Sequence, residues 1–197
     1  MTMMLRAGKF FLWVLLFLVF PTSAEVYRNQ AVGIEFPDAV GGMVRNPEVF
    51  DYEKLVPGLG ESVAYNAEGV KSTIYIYRIG QNVKPDEAGV VRLHDHFVAA
   101  VGDVVKMQSA GQYQNLVLLE AGDFFWGDKL EPTKSLYAKL SYQQNGVGLI
   151  SYVHVLGYRG QVLKVRHTFD SEVSQKGEEM QKGLLQMIGR QLTDAAQ

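Results

Sequence analysis

The chain has 197 residues, 47% of them hydrophobic and 20% charged, with a formal net charge of -2. That is the balance of a folded globular protein, and a mildly acidic chain with scattered basic residues lacks the electrostatic footprint of a nucleic-acid binder. There is no cysteine, which excludes a disulfide framework, a thiolate nucleophile, cysteine-ligated zinc and an iron–sulfur cluster.

In chain order, the first feature is a leader. Arg6 and Lys9 precede the apolar run Phe10 to Phe20, and Pro21-Thr22-Ser23-Ala24 supplies small residues for cleavage. This order is that of a secretory signal peptide. The run is shorter than the roughly 20 residues of a membrane-spanning helix. Cleavage after Ala24 is therefore expected, which leaves one domain over residues 25–197 and no membrane span. Loss of two basic residues and no acidic ones takes the net charge from -2 to -4. A domain of this size exported without disulfides points to a bacterial protein, periplasmic or secreted.

Val32 to Phe36 alternates as a short strand, ended by Pro37, and a glycine- and proline-rich loop is expected from about Pro37 to Gly60. Glu61–Tyr65 and Val70–Tyr77 flank Asn66-Ala67-Glu68-Gly69 as a hairpin, with Val63, Tyr65, Val70, Ile74 and Ile76 on a buried face. The period then becomes helical from about Asp86 to Gln108, where Val90, Leu93, His94, Phe97, Val98, Val101, Val104 and Val105 form the predicted apolar stripe. Gly111 is placed to end that helix.

A four-strand meander follows: Tyr113–Leu119, Ser135–Gln143, Val147–Leu156 and Gln161–Phe169. Asn145-Gly146 and Gly157-Tyr158-Arg159-Gly160 are its turns. Counting outward puts Tyr137, Ile150, Tyr152, His154, Leu163, Val165, His167 and Phe169 on one face. Leu136, Leu140, Tyr142, Leu149, Val153, Val155 and Val162 lie on the other, with Lys164 and Arg166. Apolar residues on both faces imply a sheet covered on both sides. The last helix, roughly Ser171 to Thr193, turns Met180, Leu184, Leu185, Ile188 and Leu192 inward and Glu178, Glu179, Lys182, Gln186 and Arg190 outward. Its glycines 177, 183 and 189 are expected to permit close approach to the sheet.

Motifs for chemistry are sparse. Gly58-Leu59-Gly60-Glu61-Ser62 precedes a strand, so it is neither a phosphate loop nor a nucleophile elbow. His94 and His96 point about 200° apart on a helix and cannot share a metal, with His94 expected in the packed stripe. His154 and His167 share a sheet face but are expected about 13 Å apart along it. Nothing in the chain order gathers Ser, His and Asp into a triad. No cofactor or metal site is expected.

Two clusters stand out. In Gly122-Asp123-Phe124-Phe125-Trp126-Gly127-Asp128, three adjacent aromatics cannot all face one side of a strand, which would expose one or two of them to a partner. Tyr137, Lys139, Tyr152, His154 and His167 form a polar and aromatic sheet face that could line a small-ligand pocket.

The order of strands, hairpin, helix, four-strand meander and C-terminal helix resembles the α/β/α sandwich of PsbP-like domains, over most of residues 25–197. Gly58 to Asn66, followed by Ile74-Tyr75-Ile76-Tyr77, is similar to exported bacterial proteins of unknown function. The first resemblance implies an α+β fold and an accessory or binding role. The expectation is a non-enzymatic exported protein that contacts an envelope protein through Phe124, Phe125 and Trp126. The alternative is a small-molecule binder or weakly marked hydrolase using the Tyr137/Lys139/Tyr152/His154/His167 face.

Overall fold

Two tight turns fix the meander. Asn145, Gly146, Arg159 and Gly160 all have positive φ, at 54°, 81°, 49° and 71°. This is the backbone of two-residue type I′ turns, whose twist matches that of the strands they join. They separate β9 (Thr133–Gln144), β10 (Val147–Tyr158) and β11 (Gln161–Asp170). Arginine is an unusual choice for a left-handed position, and here its Nη1 donates to the Val32 carbonyl at 3.1 Å. This computed structural model describes residues 26–78, 85–126 and 133–194. The expected leader, Gly127 and Asp128 lie outside them.

β1 (Tyr27–Arg28) and β2 (Glu35–Phe36) form a separate two-stranded ribbon. The expected loop from Pro37 to Gly60 instead contains three short strands, β3 (Ala39–Val40), β4 (Met43–Arg45) and β5 (Phe50–Asp51). β6 (Glu61–Ala67) takes up both β4 and β5 along one edge and pairs with β7 (Val70–Arg78) on the other. After helix α1 (Pro85–Ser109), β8 (Gln114–Trp126) opens the meander. The main sheet runs β3-β4-β6-β7-β11-β10-β9-β8, antiparallel throughout. β8 is its thirteen-residue edge, with register irregularities between Gln114 and Val117 and between Leu118 and Glu120.

Both hairpins expected to have four-residue turns have two-residue ones, with Ala67 opposite Val70 and Tyr158 opposite Gln161. The pairing slides by two residues, which preserves the faces because side chains alternate with period two. Val63, Tyr65, Val70, Ile74 and Ile76 are accordingly all buried together. The slide does change neighbours: His167 lies opposite Tyr152, next to the His154–Val165 pair. The two histidines are diagonal neighbours, not four residues apart as the longer turn implied.

Two cores result, one on each side of the sheet. Helix α2 (Ser174–Asp194), entered through a single 3-10 turn at Ser171–Val173, buries Met180, Leu184, Ile188 and Leu192 against Val63, Tyr65, Ile74, Leu163, Val165 and Phe169. Gly177 lets it descend, because a Cβ there would come within 2.3 Å of the Phe169 ring. α1 covers the other face, with Ala100 and Val104 on Leu140, Tyr142, Val153, Val155 and Val162.

α1 is rotated from its predicted stripe. Leu93, Phe97, Ala100, Val101, Val104 and Met107 face the sheet, whereas Val98, Val105 and His94 are exposed. His96 takes the position expected of His94 and packs edge-on to Tyr77 at 5.4 Å. The valines of α1 fall within an arc of about 140°, and the larger Leu93, Phe97 and Met107, toward and beyond one end of that arc, draw the packed side to themselves. No helix among the described residues is long and apolar enough to cross a membrane.

Candidate functional site

Strand alternation sorts the three consecutive aromatics. Phe124 and Trp126 point to the α2 face, where Trp126 is fully buried, while Phe125 on the opposite side is 55% exposed. Tyr137, Tyr152 and His154 arrive on the same α2 face from β9 and β10. His154 is the hub of this group. Phe124 meets it edge-on at 4.9 Å, Trp126 at 5.8 Å, and Tyr137 stacks on it at 5.7 Å. The two separate clusters in the sequence thus become one.

The opposite wall is α2. Glu178, Gln181, Lys182, Leu185 and Gln186 recur at helical spacing along it, and together with the sheet aromatics they enclose a cleft of about 610 Å³. At its rim Glu178 accepts hydrogen bonds at 3.1 Å from both Lys139 Nζ and the Tyr152 hydroxyl. The Lys139 bond holds Glu178 below the usual carboxylate range. Lys139 also lies over the Tyr152 ring, 5.0 Å from its centre. Tyr137 donates to Glu120, whose acceptance of that bond raises the tyrosine pKa. Lys139 therefore acts at the cleft edge through Glu178 and Tyr152.

The two histidines have different roles. His167 lies behind the cleft with every ring nitrogen matched. Its Nε2 donates to the Gly177 carbonyl at 2.9 Å, so Nδ1 accepts from the Ser72 hydroxyl at 2.6 Å. It ties β7, β11 and α2 together as a neutral ring, with its pKa pushed down to about 4 by burial.

His154 is also held near 4, by burial first and then by His167. The Gln181 amide nitrogen faces its Nε2 at 3.1 Å. Nε2 then accepts, and the ring proton sits on Nδ1, which has no partner. Trp126 Nε1 is a second buried donor without an acceptor. Native interiors rarely leave such groups unmatched.

Sequence reasoning treated Glu178, Lys182 and Gln186 as a solvated helix face and passed over Gln181. The available signal was Gln181 itself, a polar residue in line with Leu184, Leu185 and Ile188 on the apolar side of α2. The Gly58–Ser62 stretch is closed to phosphate by its own chain. The amides of Gly58 and Gly60 both donate to the Glu53 carboxylate, at 2.8 and 3.0 Å. Among the described residues, no group of acidic and histidine side chains is arranged to hold a metal.

The α/β/α arrangement, with an antiparallel sheet between two helices, is the PsbP-type fold. The chain is similar to the solution structure of cyanobacterial PsbP, CyanoP, from Synechocystis sp. PCC 6803, at 15% identity and a TM-score of 0.50, over 84% of this chain and 93% of that one. A Pseudomonas aeruginosa protein of unknown function, PA94, aligns at 16% identity and a TM-score of 0.39, over 83% of this chain and 94% of the other. No protein-family model and no curated protein matches the sequence.

Proposed function

We propose that this chain is an exported, non-enzymatic binding protein whose cleft between α2 and the β8–β10 end of the sheet takes a small ligand. The ligand has a flat apolar part and at least one hydrogen-bond acceptor. The observation that carries this reading is the pair of unmatched donors, His154 Nδ1 and Trp126 Nε1, on rings 5.8 Å apart beside an aromatic-walled cleft. Small-molecule sites are commonly apolar clefts of about 300–1,000 Å³ with a few placed polar groups.

A binding role is favoured over hydrolysis by the composition of the walls. The described lining holds no serine, threonine or cysteine. With its Nε2 held by Gln181 and its pKa near 4, His154 is a weak general base at neutral pH. Export is supported by the charged, apolar and small-residue order of the first 24 residues. An envelope protein remains the partner of the second reading, on the strength of exposed Phe125 alone.

Trp13 and Trp126 are the chain's two tryptophans, so in a Trp13→Phe protein all tryptophan emission comes from the cleft. Anilinonaphthalene sulfonate, a flat apolar ring system with a strong acceptor, is the probe. It is expected to quench Trp126, and Phe124→Ala and Tyr152→Ala should each weaken that binding. Quenching that is absent, or unaltered in both variants, would overturn the cleft. Sequencing the mature N-terminus tests export: Glu25 supports it, and Met1 intact in the membrane fraction refutes it.

A further inference from the structure

On the other face of the sheet, past the end of α1, lies a second cavity of about 500 Å³. Its walls include Lys71, Thr73, Tyr113, Tyr142, Arg166 and Thr168. Arg166 and Lys164 are successive residues on this face of β11, opposite Thr73 and Tyr75. Both are half-buried, and neither has a carboxylate within ion-pairing distance among the described residues. Lys164 sits over the Tyr75 ring at 4.3 Å instead.

Withdrawing a guanidinium from water without a counter-charge is costly, and such groups are ordinarily paired. Arg166 is held in position by neutral partners alone. Its Nη2 donates to the hydroxyls of Tyr113 at 3.2 Å and Tyr142 at 3.1 Å, and its Nε to Ser151 Oγ at 3.4 Å. A guanidinium has five N–H donors, and among the described residues neither hydrogen of Nη1 has an acceptor. Both tyrosine oxygens accept from Arg166; the Tyr142 hydroxyl also meets the Thr168 hydroxyl, while the Tyr113 O–H has no acceptor among the described residues. The two rings stack at 4.2 Å, which fixes both hydroxyls on the same guanidinium.

The cavity therefore gathers Nη1, the Tyr113 O–H and, at the mouth, the Lys71 ammonium as open donors, with the Thr73 hydroxyl bonded to Tyr75. The one carboxylate in the lining, Asp170, stands four residues along β11 from Arg166, about 13 Å away. It sits beside Gly69, where a Cβ would be 3.1 Å from its Oδ2. Burial lowers the Lys164 pKa, opposed by the Asp103 carboxylate and reinforced by the Arg166 charge.

We propose that this cavity is an oxyanion site, distinct from the α2 cleft, which binds the phosphate or carboxylate group of a small molecule through Arg166, Tyr113 and Tyr142. The planar fork of arginine matches two oxygens of either group at once. The cavity is larger than a bare anion, which leaves space for the rest of a small metabolite along Leu149.

The test is calorimetric titration of the purified protein with inorganic phosphate and, separately, succinate, against chloride at matched ionic strength. Saturable binding of either anion is expected, weakened at least about tenfold by Arg166→Met. Trp126 emission should not change, which separates this site from the cleft and lets either proposal fail alone. Lys71→Met alters an exposed side chain at the mouth and should weaken binding about threefold without affecting the fold. No saturable binding of either anion would overturn the site. So would equal affinity in a folded Arg166→Met protein or, should that variant not fold, equal affinity in Lys71→Met.

Discussion

β11 presents different chemistry on its two faces. Toward α2 it shows Leu163, Val165, His167 and Phe169, all buried, and toward α1 it shows Lys164, Arg166 and Thr168, all half-buried. The polar groups of the first face have been made neutral: His167 and His154 are both held as uncharged rings with pKa values near 4. Those of the second face stay charged and rely on π-faces and hydroxyls. The contrast shows how a covered sheet can keep polar atoms inside. Under α2 the groups are histidines, which burial holds neutral, and toward α1 they are a lysine and an arginine, whose charge is met by π-faces and hydroxyls.

Acid should expose this difference most strongly. An unfolded histidine titrates near 6.5, so as pH falls the unfolded chain takes up protons before the folded one. Stability is then complete above about pH 6.5 and is lost as pH falls toward 4, at about 2 kcal/mol per ring by pH 5. Urea midpoints measured from about pH 7 to about pH 5 should fall accordingly. Arg166→Met should keep that slope, while His154→Gln should flatten it by about half. An Arg166 variant that lost the slope would break the comparison.

The tightness of the α2 seal is tested next. Gly177→Ala forces a methyl group against the buried Phe169 ring and is expected to cost about 2–3 kcal/mol, read as a lower urea midpoint. The opposite face should be more tolerant. Arg166→Met gives up three hydrogen bonds from a half-buried guanidinium to buried hydroxyls, the longest of them at 3.4 Å, and should cost about 1 kcal/mol. Smallest of all, Lys139→Ala removes a rim ion pair with Glu178 and should move the midpoint by under about 0.5 kcal/mol. A larger loss would mean that the pair closes the cleft and does not merely edge it.

How much of this was legible in the sequence depended on what kind of signal each element gave. Period-two alternation put each β10 and β11 residue that it placed, from Leu149 to Val155 and from Val162 to Phe169, on its correct face, because a slip of two leaves parity intact. The turn lengths were hidden because Gly157 and Gly160 offered two places to turn, and only the second, with Arg159, is used. That error placed His154 and His167 too far apart. The orientation of α1 was hidden because its apolar residues span a wide arc, with Val98 and Val105 toward one edge and Leu93 and Met107 toward the other, so that its centre is indistinct.

The sheet half of the cleft could be read residue by residue, as two sets that only the fold unites. The helix half could not, since a polar wall facing a cleft and one facing open water have the same period. The second cavity left a trace in Lys164 and Arg166, placed on a face otherwise apolar. Its meaning depended on Tyr113 and Tyr142, brought beside Arg166 by pairings remote in the chain.

The irregular edge of the sheet has a further consequence. β8 is the longest strand, and Val117, Leu118 and Leu119 on it are each about half exposed. A flat apolar edge of this kind would invite another chain to continue the ladder. Asn115 adopts φ 53° at the first irregularity, its side chain bonded to Gln143 at 3.1 Å, and the pairing slips again within four residues. Each slip leaves ladder groups unmatched and increases the local twist, so an incoming strand could follow this edge for only a few residues. The irregularity at the start of β8 thereby acts as a guard against aggregation, supplied by the backbone without any charged gatekeeper among those three residues.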